Sequence, residues 1–244
     1  MKILITNDDG IDAPGIKILA AELGKEHEIL VIAPDRERSG VSHALNLQHP
    51  GSLAQRGARE YACSGTPADC VYLAQLGALP FIPEAVVSGI NRGPNLGTDI
   101  LYSGTCGAVR QASLSGLPGI AVSCAAHRES LDYLAAASFV RRNFDLLISH
   151  CSGEVFINVN APSSSDETLK GRWTRPGMRK YHDRIQIFDA PDKKRYCFLA
   201  GGVPETVEDP DSDYAAVEAG FVAVSPILVH PQVPGGFVPG GNFC

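Results

Sequence analysis

The stretch Ile3-Leu4-Ile5-Thr6-Asn7-Asp8-Asp9-Gly10 constrains the fold more than any other: an unbroken apolar and β-branched run stops at two adjacent carboxylates and a glycine. A strand without polar alternation is one covered on both faces, as in a parallel sheet lying between helical layers. Open sheets of this kind gather ligands at the carboxyl ends of their strands. Asp8 and Asp9 occupy such an end.

The same logic extends along the chain. Strand candidates at Lys2 to Thr6, Glu28 to Ala33, Ala85 to Ser88, Gly119 to Ser123 and Val155 to Val159 alternate with helical stretches, the pattern of βαβ units. The expected helices are Pro14 to Leu23 stopping at Gly24, Thr105 to Ser115 stopping at Gly116, and Leu131 to Ser149 as the longest. Thr66-Pro67-Ala68-Asp69 reads as a capped helix start leading into Cys70 to Leu76. The expected class is therefore α/β: a three-layer, Rossmann-like, mostly parallel sheet, with 1–160 as the core that carries the site. Beyond Asn160 the pattern changes to an extension (161–244) of strands and loops with one short helix near Tyr214 to Ala219. The glycine- and proline-rich stretch Pro231 to Cys244 reads as a tail.

Composition narrows the partners. The 244 residues, 44% of them hydrophobic, suffice for one large domain. A net charge of -6, from 27 acidic against 21 basic residues, leaves no basic stripe for duplex nucleic acid. The opening apolar run is too short for a signal peptide or a membrane span, so the expectation is a cytoplasmic protein with no membrane partner. Seven scattered cysteines without a CxxC pair exclude a disulfide framework and a zinc knuckle; most read as small core residues, with Cys244 an exposed thiol. Neither GxxxxGK[ST] nor GxGxxG occurs, so any phosphate site is built another way.

Four segments can build it. Asp8 and Asp9 offer hard anionic oxygens to a hard divalent cation, although the same residues also read as an ordinary Asp-Gly turn. The loop Ser88-Gly89-Ile90-Asn91-Arg92-Gly93-Pro94-Asn95-Leu96-Gly97 lets backbone approach a ligand closely; Asn91 offers an amide oxygen, and Arg92 and Asn95 offer donors to phosphate, unless it is simply a surface loop. Tyr102-Ser103-Gly104-Thr105-Cys106-Gly107 opens a helix whose free amides suit an anion, a role compatible with plain capping by Ser103 or Thr105. Pro34-Asp35-Arg36-Glu37-Arg38-Ser39-Gly40 follows the second strand and brings Ser39 to the edge that holds Asp8.

Taken together, Ile5-Thr6-Asn7-Asp8-Asp9-Gly10 with Ala13-Pro14-Gly15, Arg38-Ser39-Gly40, Ser64-Gly65-Thr66-Pro67-Ala68-Asp69-Cys70-Val71, Ser88 to Gly97 and Tyr102-Ser103-Gly104-Thr105 closely resemble the SurE family of survival-protein nucleotidases. Fainter echoes run through Asn158-Val159-Asn160 and from Ser212 to Pro226, and the tail falls outside. The resemblance implies a metal-dependent phosphatase for nucleoside 5'-monophosphates, with 3'-monophosphates and short polyphosphate as further substrates. It implies one magnesium or manganese ion per subunit on Asp8, Asp9, Ser39 and Asn91, with Asp8 and Asp9 catalytic. Asn7, Arg92, Asn95, Ser103, Gly104 and Thr105 would then meet the substrate. It also implies a homodimer or homotetramer built through the C-terminal extension. Two positions depart from the family pattern: Gln111 stands where a glutamate is common, and Ser212 where a threonine is frequent.

The chemistry of these residue types agrees. Two carboxylates neutralise a divalent ion, and a hydroxyl and an amide complete only four donors, leaving room for water and a phosphate oxygen. Two other readings remain. One is an aspartyl-phosphate mechanism like that of haloacid-dehalogenase phosphatases, whose acids are spaced by one residue rather than adjacent. The other is a nucleotide-binding regulator without catalysis.

Overall fold

The computed structural model describes residues 1–125, 131–201 and 204–231. Cys244 and nearly all of the expected tail lie outside the described residues. The first half runs β1 (Lys2–Thr6), α1 (Pro14–Leu23), β2 (Glu28–Pro34), β3 (Leu53–Gly57), β4 (Glu60–Cys63), α2 (Pro67–Gln75) and β5 (Ala85–Arg92). A 3-10 turn (Gly97–Leu101) leads to α3 (Gly104–Leu114), β6 (Gly119–Ala125), α4 (Leu134–Arg142), α5 (Phe144–Ser149) and β7 (Val155–Pro162). Short strands follow: β8 (Gly171–Trp173), β9 (Arg179–Lys180), β10 (Arg184–Asp189), β11 (Arg195–Ala200) and β12 (Glu205–Thr206). The described chain closes with α6 (Asp213–Glu218) and β13 (Val222–Leu228).

Nine strands form one sheet in the order β3-β4-β2-β1-β5-β6-β7-β13-β8. Every neighbouring pair from β4 through β7 is parallel, while β3 and β13 pair antiparallel with β4 and β7. The α/β expectation therefore holds, with a mostly parallel sheet. From β1 the chain steps to β2 on one side; from β5 it steps to β6 on the other. The gap between the ends of β1 and β5 is thus the point where the winding reverses, where such sheets open a crevice.

Alternation along β1 divides the core into two layers. Ile3 and Ile5 pack with α1, α4 and α5, and Leu4 packs with α2 and α3; all three are fully buried. Each such side chain contributes about 1.5–3 kcal/mol by leaving water. Helix α1 starts on Pro14 and buries Ile16, Leu19 and Leu23 at helical spacing. Its outer face is tied to α4 by Arg141, which donates to Glu22 at 3.1 Å and Glu26 at 2.8 Å. Helix α2 begins with a complete capping box, Thr66 Oγ1 accepting from Asp69 N–H and the Asp69 carboxylate accepting from Thr66 N–H.

Three expectations are corrected. The helix expected over Leu131 to Ser149 is two helices, α4 and α5, divided at Asn143, whose side-chain amide donates to the Phe139 carbonyl at 2.8 Å and competes for a helix acceptor. The hairpin β3–β4 extends the sheet where no strand was expected. The core also does not end at residue 160, because β13 and β8 from beyond it complete the sheet. The short helix near Tyr214 is present as α6, capped by Ser212.

Candidate active site

The turn after β1 is held by its own residues. The Asn7 side chain donates to the Gly10 carbonyl at 2.9 Å and accepts from Gly10 N–H at 3.1 Å. Gly10 has φ +101°, and a Cβ there would meet the Arg36 carbonyl carbon at 3.2 Å. The ordinary-turn reading therefore holds, and the turn presents two carboxylates. Asn7, expected to meet substrate, is fully buried and spent on shaping that turn.

Asp8 leans toward α3 and is only 4% exposed. Its Oδ1 accepts from the Thr105 hydroxyl at 2.5 Å, and its backbone carbonyl accepts from Arg38 N–H at 2.7 Å. A Cβ on Gly104 would lie 2.9 Å from the Asp8 carboxylate, so glycine is what lets the helix start come this close. Burial, followed by the charge of Asp9, pushes the Asp8 carboxyl up to about 6, against the lowering effect of Thr105. Asp9 is less buried and accepts from Arg92 N–H at 2.9 Å, which joins the ends of β1 and β5. Burial raises its pKa, and the Arg92 amide and guanidinium oppose that rise.

The remaining expected residues are placed as follows. The Arg38–Asp8 bond pins the 35–40 loop beside the crevice, but Ser39 is exposed and its hydroxyl donates to Glu37 at 2.9 Å. Asn91 sits after a register shift in β5; its amide donates to the Gly93 carbonyl at 2.9 Å and its side-chain oxygen has no donor among the described residues. The Arg92 guanidinium is exposed, 3.5 Å from Glu37. Ser103 caps α3 by accepting from Cys106 N–H at 3.1 Å, while Gly104 and Thr105 are buried in its first turn. Asn95 is 6% exposed, and its amide donates to the Ser123 hydroxyl at 2.8 Å.

Residues beyond the expected set hold that last loop. Asn158 and Asn160 donate to the Asn95 carbonyl at 2.9 and 3.1 Å, and Asn160 accepts from Asn95 N–H at 2.8 Å. An Asn-Val-Asn run inside a buried strand was the available signal, since buried amides demand partners. The Asp213 carboxylate likewise accepts from the backbone N–H of Gly97 at 2.8 Å and Gly177 at 2.9 Å.

The donors suit a hard cation. Asp8 is a buried carboxylate with no cationic side chain bonded to it among the described residues, and a second carboxylate raises its pKa. A free amide oxygen on Asn91 stands across the crevice. A divalent ion would supply the charge this arrangement lacks. The start of α3 faces the same gap; its Cys106 N–H is capped by Ser103, and its Thr105 backbone and hydroxyl both lower the pKa of the Asp8 carboxyl.

Comparisons with known proteins place the chain. The family described as "Survival protein SurE" matches residues 3–183. The protein is 42% identical to "5'-nucleotidase SurE" of Kosmotoga olearia, over 93% of this chain and 92% of that protein. It is 43% identical to the same-named protein of Geotalea daltonii over equal shares. The crystal structure of the Sure protein from Aquifex aeolicus superposes with a TM-score of 0.82 at 34% identity, covering 95% of each chain. With the motifs in order, the site at the winding reversal and these matches, the chain belongs to the SurE family.

Proposed function

We propose that the protein is a divalent-metal-dependent phosphomonoesterase that releases phosphate from nucleoside 5'-monophosphates, with 3'-monophosphates and short polyphosphate as secondary substrates. The observation that carries this reading is the buried, uncompensated Asp8 carboxylate set against Asp9 on one side and the start of α3 on the other. The relatives named 5'-nucleotidase support the nucleotide as substrate.

Asp8, Asp9, Asn91 and Ser39 would hold the ion, Mg2+ or Mn2+. Ser39 reaches it by exchanging its bond to Glu37, an exposed hydroxyl's low-cost rotation. The ion, when bound, supplies Lewis-acid charge that polarises the phosphoryl group. Backbone amides at the α3 start, with Ser103, hold the phosphoryl oxygens as negative charge builds on them. Thr105 acts as a positioning residue: its hydroxyl fixes one oxygen of Asp8. The second oxygen of Asp9, unbonded among the described residues, takes the proton of the attacking water. Arg92 screens the leaving side.

The assembly is proposed as a homodimer or homotetramer. Hairpin β10–β11 exposes Ile185, Ile187 and Leu199 on one face and Phe188, Tyr196 and Phe198 on the other, each at least 47% exposed. A two-stranded ribbon apolar on both faces is unstable alone, and a second copy of the chain is the occupant that the extension offers. No helix among the described residues is long and apolar enough to cross a membrane.

The test of the reaction is phosphate release from nucleoside 5'-monophosphates with each divalent metal. Release that needs the metal supports the reading, and no release with any metal ends it.

A further inference from the structure

The end of β4 and the start of α2 bring two thiols together. Cys63 closes β4 and Cys70 lies in the first turn of α2, and both are fully buried in the layer that α2 packs onto the sheet. The Cys70 S–H donates to the Cys63 sulfur, which also accepts from Gly65 N–H at 3.3 Å. Two donors aimed at one sulfur favour its thiolate. The bond from Cys70, helped by Gly65, brings the Cys63 thiol down to about 7 against the effect of burial. Burial instead pushes Cys106 up to about 12 and Cys124 up to about 11. Cys63 is therefore unlike these other core thiols.

A cavity of about 220 Å3 reaches Cys63, with Gly65, Asp69 and Leu73 in its lining. Its outer wall is the exposed stretch 46–51, neither helix nor strand, tied to α2 where Asn46 N–H donates to Asp69 at 2.9 Å. A water molecule occupies about 30 Å3 in the liquid, so a molecule with two heavy atoms fits. The thiol pair also adjoins the crevice loop. The Cys63 carbonyl accepts from Asp35 N–H at 2.7 Å, and the Ser64 carbonyl accepts from the Arg38 guanidinium at 2.6 Å.

We infer that Cys63 and Cys70 form a reversible thiol-oxidation site whose co-reactant is a small hydroperoxide. The Cys63 thiolate attacks one peroxide oxygen, the O–O bond breaks, and hydroxide leaves with the proton that the thiol gave up, making water and a sulfenic acid. Cys70 then attacks the Cys63 sulfur: an S–S bond forms, the S–O bond breaks, and the Cys70 proton leaves with the hydroxyl as a second water. The two thiols lose the two electrons that the peroxide gains. The roles follow from the environments, since an attacking thiol works best with its pKa near the ambient pH, while burial keeps Cys70 protonated until the sulfenic acid forms beside it. The sulfurs, already in contact, have only to close to about 2.05 Å. The site does not depend on the phosphate reaction, so either assignment can fail alone.

The test adds hydrogen peroxide to the folded full chain in steps until the exposed Cys197 is oxidised. The chain is then unfolded, alkylated with iodoacetamide and cut with trypsin. Cys63 and Cys70 are the two cysteines of the tryptic peptide Glu60–Arg92. The expected product is that peptide two hydrogens lighter, with its alkylation reduced at least ~10-fold and restored by dithiothreitol. In Cys70→Ser, which lacks the resolving thiol, dimedone should label Cys63; in Cys63→Ser, Cys70 should stay a free thiol. Oxidation of Cys197 while both cysteines of the peptide remain alkylable overturns the assignment, and so does Cys63 joined to any cysteine other than Cys70. The wild-type peptide keeps the test decisive should either variant fail to fold.

Discussion

The crevice at the ends of β1 and β5 and the β10–β11 hairpin stand at opposite extremes of the same chain. In the crevice, the buried polar groups are held by partners from other segments, Asp8 by Thr105 and Arg38 and Asn95 by Asn158 and Asn160, and the less buried Asp9 is held by Arg92. In the hairpin, apolar groups are exposed and held only by each other, as in the edge-on contact of Phe188 with Phe198 at 5.8 Å. In the proposed reading, the region that stores uncompensated charge serves a ligand and the region that stores uncovered apolar surface serves another chain. The first should fail in activity when altered, the second in assembly.

Asp8→Asn and Asp9→Asn should break the comparison on the crevice side most severely. Each removes one of the two anionic donors, and the expected loss in kcat/KM is ~10³-fold, about 4 kcal/mol of barrier. Near wild-type turnover in both variants, measured by phosphate release, would remove the metal-site assignment. Gly104→Ala comes next. Its methyl would sit 2.9 Å from the Asp8 carboxylate, and displacing that group should lower kcat roughly 10²-fold while the fold, followed by circular dichroism, stays intact.

On the hairpin side, Ile187→Asp combined with Phe198→Asp places a charge on each exposed face. Sedimentation should show association weakened at least ~10-fold, whereas turnover per chain changes far less than in the crevice variants. An unchanged assembly would place the interface elsewhere. Ser39→Ala should be the mildest activity change: it removes a neutral donor from an exposed loop, weakening metal dependence only a few-fold with substantial residual rate. Unchanged metal affinity would count against Ser39 as a ligand.

The crevice should also carry a stability cost that the hairpin does not. Because burial holds the Asp8 carboxyl up at about 6, the folded chain binds that proton more tightly than the unfolded chain. Stability is therefore lost as pH rises from about 4 through about 6, and the deficit persists above it. Chelator-treated Asp8→Asn should exceed wild type by on the order of 2–3 kcal/mol at pH 8, with the gain vanishing toward pH 4. Thermal unfolding across pH measures it, and a gain that grows on acidification would contradict the account.

Much of this was legible where the physics is local. Apolar runs located β1, β2 and the parallel core. Proline and glycine punctuation bounded α1 and α3, and the capping box announced α2. The two carboxylates were visible because a strand end and an Asp-Gly turn lie within a few residues. What escaped depended on distance or weak local signal. Strand β3 is polar and joins β4 without an Asn-Gly turn, so its hairpin left no pattern. The clamp on Asn95 joins residues 63 and 65 positions apart, and the Asp213 bond to Gly97 spans 116. Thr105 looked like a phosphate donor, but only the packed fold shows its hydroxyl aimed at Asp8. Similarly, β13 read as part of an extension because its pairing with β7 is set by tertiary packing rather than by its own sequence.

The central claim, that the crevice is an oxygen-lined metal site for phosphate-ester hydrolysis, is tested most directly by phosphate release from adenosine 5'-monophosphate before and after chelation. The account predicts turnover that falls to background with chelator and returns when Mg2+ or Mn2+ is restored in wild type but not in Asp8→Asn. Turnover that persists undiminished in chelator would contradict it.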